Sequence, residues 1–396
     1  KITNRKWKKP FFLATNFWHI NFSRIGFRAI MAPFFLTWAL YFLIKTLNKS
    51  SNNQAQIWIL AGLAGLVYGL GFYSYIAYRT TPLLVLFLMF VYWRRKGEEA
   101  RKQLLKICGI FILSAFLAGL PLGIYFLQHP ADFLSRTAGI SIFNSATPIR
   151  GLGLNILKTI GMFNIAGDFN WRHNIAGRPL LFWPVGIMFL FGIWIGIKTI
   201  ISNIKTQISN QVQNQKNQFW NLDFGIWILF IWFLTAFLPV IISNEGLPHA
   251  LRSILMVPPV FILAAIGGLK IYEFLKSKLN KTLLLSACCL LLSLLTFEAY
   301  YSYFITWGQN PNVKNSFAYN DYVISGYLNS LPRELPKYVI VKDVKGEIHR
   351  DTPISLQSIL FLTDTFTDEK RKEKNIFYVT PENIKNIPKN SFLISF

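Results

Sequence analysis

Phe224-Gly225-Ile226-Trp227-Ile228-Leu229-Phe230-Ile231-Trp232-Phe233-Leu234-Thr235-Ala236-Phe237-Leu238-Pro239-Val240-Ile241-Ile242 contains no charged residue. At ~1.5 Å per residue, a helix of this length reaches across the roughly 30 Å hydrocarbon layer of a bilayer. Comparable apolar runs lie on both sides of it, and with it they make nine predicted segments: 10–22, 29–44, 57–78, 80–93, 107–127, 180–197, 224–242, 253–269 and 282–305. Among Asp, Glu, Lys and Arg, these segments hold only Glu298. Two are weaker: the first carries Asn16, His19 and Asn21, and the fourth is short and set off from the third only by Arg79 and a Thr80-Thr81-Pro82 turn, so each also suits a half-span or an interfacial helix.

Composition agrees with a membrane-embedded chain. Of 396 residues, 53% are hydrophobic and only 15% charged, whereas soluble domains carry about 25% charge. The net charge of +23 would suit nucleic acid if it formed one patch. It is instead dispersed in short stretches between apolar runs, as topogenic charge is, so no nucleic-acid partner is expected. Cys108, Cys288 and Cys289 all fall in apolar runs and read as packing residues, neither a disulfide nor a metal site. The chain opens on a basic stretch, Lys1 to Lys9, with no initiator Met, and is expected to be a fragment or a processed chain.

Alternate connections differ in charge. Segments 1–9, 45–56, 94–106, 198–223 and 270–281 hold 20 Lys and Arg, and the opposite set holds 9. The positive-inside rule assigns the richer set to the cytoplasm and puts loop 128–179 and the C-terminal tail outside, in a multi-pass plasma-membrane protein. All but one of the 9 outer basic residues are arginine: Arg24, Arg28, Arg79, Arg136, Arg150, Arg172, Arg178 and Arg252, with Lys158 the exception. Lysine suffices as a topogenic point charge, whereas arginine's planar fork grips phosphate or carboxylate through two bonds. Snorkelling to lipid headgroups is the plainer account of any single one.

The fold expected is all-α and polytopic, with a transmembrane body over 1–306 and a small extracytoplasmic α/β domain over 307–396. In the tail, Tyr338-Val339-Ile340-Val341-Lys342, Asn375-Ile376-Phe377-Tyr378-Val379 and Ser391-Phe392-Leu393-Ile394-Ser395 read as strands and 317–331 as a helix.

Two outer loops concentrate polar chemistry. Loop 128–179 is too long for a connector. It holds an apolar stretch, Leu152 to Ile165, suited to an interfacial helix, and then Gly167-Asp168-Phe169-Asn170-Trp171-Arg172-His173-Asn174. Asp168, Arg172 and His173 with a stacking indole suit a sugar or its phosphate, and equally a hydrogen-bonded turn at the membrane surface. In Ser243-Asn244-Glu245-Gly246-Leu247-Pro248-His249-Ala250-Leu251-Arg252, a helix starting after Pro248 would put His249 and Arg252 on one face, with a bound anion or Glu245 as partner of the arginine. No phosphate-binding glycine loop, nucleophile elbow or His-Glu zinc motif is present, and no cofactor or metal is expected.

Phe17-Trp18-His19-Ile20-Asn21-Phe22-Ser23-Arg24, Tyr73-Ser74-Tyr75 with Arg79, the Gly167-Asp168 to His173-Asn174 loop and Pro248-His249-Ala250-Leu251-Arg252-Ser253 resemble the multi-spanning GT-C glycosyltransferases. The closest group is the bacterial protein-mannosyltransferase and aminoarabinose-transferase-like one, and the resemblance covers about residues 10–305. It implies an inverting hexosyl transfer from a polyprenyl-phosphate-linked sugar donor to a lipid, glycan or protein acceptor at the outer face. It assigns phosphate binding to Arg24, Arg79 and Arg252, with His249 as a neighbouring donor, and it expects the catalytic acid upstream of residue 1. A transporter or flippase for a lipid-linked glycan, and a noncatalytic membrane scaffold, are the competing classes.

Overall fold

The computed structural model describes residues 9–48, 53–95, 97–133, 141–144, 147–209, 223–244, 246–341, 348–349, 352–353, 356–388 and 390–395. The chain falls into two compact units, Lys1–Gly308 and Gln309–Phe396.

The first unit is helical. Short helices α1 (Lys9–Ala14) and α2 (Phe17–Ile25) precede α3 (Met31–Leu47), α4 (Gln54–Leu70), α5 (Pro82–Arg95) and α6 (Glu98–Gln128). Next come α7 (Pro148–Gly161), α8 (Trp183–Ser209), α9 (Asp223–Ile241), α10 (Val257–Lys278) and α11 (Lys281–Tyr300). A π-helical turn, Tyr301–Trp307, extends α11.

Among the described residues, eight helices are long and apolar enough to cross a bilayer, and the first of the nine expected segments is not one of them. Residues 10–22 break at Asn16, whose side chain accepts from the Trp18 amide and so starts a new helix, and Gly26 ends that helix at φ 73°. Nine helical residues reach only about 14 Å, half a hydrocarbon layer. The short fourth segment, by contrast, belongs to a candidate span, Ile76–Arg94.

Close packing between spans relies on glycine. A methyl group on Gly65 or Gly69 of α4 would collide with Phe111 O or Ala115 O of α6, so those backbones touch. The α8 and α10 pair does the same at Gly192 and Gly267, where a methyl would meet Leu263 O or Met188 O. Small residues at helix contacts are how membrane helices gain dispersion energy where lipid removes the hydrophobic drive. The most apolar stretch of the span Ile254–Lys278, which contains α10, is 61% buried, and that of α6 only 11%. The α10 helix is therefore the centre of the bundle, while α6 shows Ile112 and Phe116 outward, as a lipid-facing helix does.

Successive spans alternate in direction, so the C-terminal ends of α2, α4, α6, α9 and α11 gather at one end of this unit, which also bears the candidate site. There the loop expected to hold an interfacial helix folds as α7, and Asn155 of α7 donates to Ile241 O (2.9 Å) and Ser243 O (2.8 Å), satisfying carbonyls at the C-terminus of α9.

The second unit contains α12 (Pro311–Ser316), α13 (Tyr319–Ser330), α14 (Gln357–Thr363) and α15 (Asp368–Lys374). Strands β1 (Lys337–Ile340), β4 (Ile376–Val379) and β5 (Phe392–Ser395) form a parallel sheet in the order β4-β1-β5, and β2 (Ile348–His349) pairs with β3 (Thr352–Pro353). Leu328, Val339, Ile359 and Ile376 form its core. The three strands and the helix expected in the tail are all present. Lys342 lies outside the described residues.

Candidate functional site

Residues 167–178 form a closed loop. Gly167 N donates to Gly177 O (3.2 Å) and Gly177 N to Asp168 O (3.0 Å), while Asn174 Nδ2 ties Asp168 O to Arg178 O. Any side chain at 167 would collide with Arg178 O, so the closure requires glycine. The loop is held from several sides. Asn21 Nδ2 of α2 donates to Arg172 O, Trp307 Nε1 to Trp171 O, and the Arg178 guanidinium pairs with Glu298 and Ser302.

This closure buries Asp168 to 3% exposure and aims its carboxylate at the segment before α10. Asp168 Oδ1 accepts from Asn170 N (2.8 Å), and Oδ2 accepts from Ala250 N (2.8 Å). Two imidazoles approach that same Oδ2: His173 Nδ1 at 3.0 Å and His249 Nδ1 at 3.6 Å. Their rings stack, with centroids 4.9 Å apart and planes at 28°. Phe22 and Phe27 pack against the His173 ring and make the environment apolar. Asp168, His173 and His249 are the residues able to hold a metal among those described, their ligand atoms all within 4.8 Å of one another.

The helix expected to begin after Pro248 begins later. A turn covers Ala250–Ser253, a 3₁₀ turn Ile254–Met256, and α10 starts at Val257 with proline in its first turn. His249 and Arg252 therefore point to different partners: His249 faces Asp168, and Arg252, 8% exposed, donates to Ser243 Oγ. Glu245, the alternative to a bound anion as partner of Arg252, lies outside the described residues, as does Arg136.

The other predicted arginines have separate seats. Arg24 is exposed and sits 5.3 Å from the ring centres of Tyr303 and Phe304 in the π-helical turn. The Arg79 guanidinium lies 4.0 Å from the Phe133 ring centre and 5.2 Å from that of Phe126, and it donates to Phe133 O (2.9 Å). Arg172 is exposed beside Phe27. The structure thus brings Asp168, His173 and His249 to one point and gives Arg24, Arg79 and Arg252 three different sets of neighbours.

Beside Arg79 an open apolar cleft of about 920 Å³ runs between α4, α5 and α6. The cleft opens outward, where Leu86, Ile112 and Phe116 on its walls are largely exposed, and Phe126 and Phe133, the two rings under Arg79, line the end nearest the loops. Gly119 and Gly123 open its α6 wall, with nothing within 4 Å of where a methyl would stand.

Sequence reasoning did not single out Trp18, whose Nε1 donates to Ala250 O, nor the role of Asn21. The signal was present: buried amides and an indole in an apolar run need partners, and these find them on the two site loops. Comparison with known protein families, curated proteins and solved structures finds no match.

Proposed function

We propose that this chain is the membrane body of a glycosyltransferase that takes a sugar from a polyprenyl-phosphate carrier and passes it to an acceptor. The surface used is the one bearing loops 128–179 and 243–252, which the charge asymmetry makes the outer face of the plasma membrane. One observation carries the reading: the apolar cleft between α4, α5 and α6 ends beside a guanidinium, since the rings lining that end are those Arg79 covers. An isoprenoid tail needs a long greasy groove, and a phosphate at its head needs a cation where the groove meets water. Held there, the phosphate is stabilised as a leaving group by the fixed positive charge.

The flippase alternative favours charge or helix breaks at mid-membrane. The Arg178–Glu298 pair lies instead at the end of α11 next to the loops. A scaffold would not need a cleft with a cation at its mouth.

The test is binding of a polyprenyl phosphate to the purified chain. Gly123→Leu adds a side chain to the α6 wall at a point where a Cβ meets nothing within 4 Å and should weaken binding at least about tenfold, or about 1.4 kcal/mol. Arg79→Gln should weaken binding of the phosphate and leave that of the uncharged polyprenol unchanged. Equal binding by wild type and both variants would overturn the reading.

A further inference from the structure

We propose that Asp168, His173 and His249 form a zinc site with one open coordination position. This holds for a transferase, a transporter or a scaffold alike, because it rests on the cluster alone.

Hydrogen bonding accounts for only part of the cluster. Asp168 Oδ2 already accepts from Ala250 N at 2.8 Å, and a carboxylate oxygen has two in-plane lone pairs. His173 Nδ1 at 3.0 Å occupies the second. His249 Nδ1 nevertheless approaches the same oxygen, to 3.6 Å, which is beyond hydrogen-bond range. A cation between the three atoms explains the convergence. Zinc bonds of ~2.0–2.1 Å in a tetrahedron separate neighbouring ligand atoms by about 3.3 Å; the two nitrogen–oxygen distances, 3.0 and 3.6 Å, fall on either side of that value, and all three ligand atoms lie within 4.8 Å of one another. The second lone pair of Oδ2 then serves the metal, and the Ala250 amide keeps the first.

The ligand chemistry narrows the ion. Two imidazole nitrogens and one carboxylate oxygen suit zinc better than magnesium or calcium, which favour all-oxygen shells. Three protein ligands leave the fourth position to water or to a ligand oxygen, the pattern of sites that do more than hold a fold. An outer shell is present: Asn170 N bonds Oδ1, Ala250 N bonds Oδ2, and the phenyl rings of Phe22 and Phe27 shield His173. The ion would also compensate a carboxylate buried to 3% exposure. It would join two loops that lie 82 residues apart in the chain.

The test uses the full chain in detergent, purified without a histidine tag or chelator and analysed for its metals. About one zinc per chain is expected, together with loss of most of it in the double variant His173→Gln/His249→Gln. A different first-row divalent ion, lost in the same variant, would support the site and correct its metal. Because the double variant could fail to fold, a second measurement uses wild type alone. Chelator-stripped protein is given Co²⁺, which develops visible ligand-field absorption on nitrogen and oxygen ligands, and added Zn²⁺ should abolish it. Metal content equal in wild type and a folded variant, or a stripped wild type that gives no cobalt spectrum and the same melting midpoint with and without Zn²⁺, would overturn the proposal.

Discussion

Arg178, in the turn before α8, donates to the carboxylate of Glu298, near the loop end of α11. Ser302, in the π-helical turn, donates to the same carboxylate and accepts from the same guanidinium. Glu298 is the one charged residue in the apolar runs read from the sequence, and it is 9% exposed. Arg178→Met removes its partner and should cost about 3 kcal/mol, because a buried carboxylate is left uncompensated. The double variant Arg178→Met/Glu298→Leu should recover much of that loss. Thermal unfolding of the two variants in detergent checks the order, and a double variant no more stable than the single one would rule out ion pairing as the cause.

Gly65 and Gly119 sit on the facing helices α4 and α6 in opposite circumstances. A methyl at 65 would run into Phe111 O, while one at 119 meets nothing within 4 Å. Gly65→Ala should therefore destabilise by about 1–3 kcal/mol through overpacking. Gly119→Ala should be neutral or stabilise by up to about 1 kcal/mol through helix propensity. Equal melting midpoints for the two variants would contradict backbone contact between these helices.

Asn155 is 7% exposed and serves two carbonyls at the end of α9. Asn155→Leu leaves both without their donor and should cost about 2 kcal/mol. Faster amide hydrogen exchange should appear in residues 240–244 and be absent from the sheet of the second unit.

His19, half-buried in α2, has its imidazole held below the ordinary histidine value by burial. The fold thus prefers the neutral ring, so the contribution is intact above the unfolded value of ~6.5 and is lost as pH falls below it. Unfolding of His19→Gln, compared with wild type between about pH 5 and 8, should show a smaller acid loss of stability. Identical pH profiles would exclude His19 as a contributor.

The deep spans were legible in the amino-acid sequence as apolar runs, though not to the residue: the run 107–127 lies within a helix over Glu98–Gln128. A chain segment in lipid must satisfy its backbone internally, so each such span announces itself as an unbroken apolar run, Phe224 to Ile242 being the clearest. The tail strands around Val339, Phe377 and Ile394 were equally legible from β-branched and aromatic residues between turn signals. Packing in three dimensions settled the fate of residues 10–22, because Asn16, Trp18 and Asn21 find partners at Leu180, Ala250 and Arg172 that no local window contains. It also settled the site. Asp168 and His249 belong to different loops, and their meeting depends on a closed turn around Gly167 and a helix that starts only at Val257. Apolar burial is a property of a run and is written in the run, whereas a polar cluster is a coincidence in space between distant runs and exists only once the helices between them have packed.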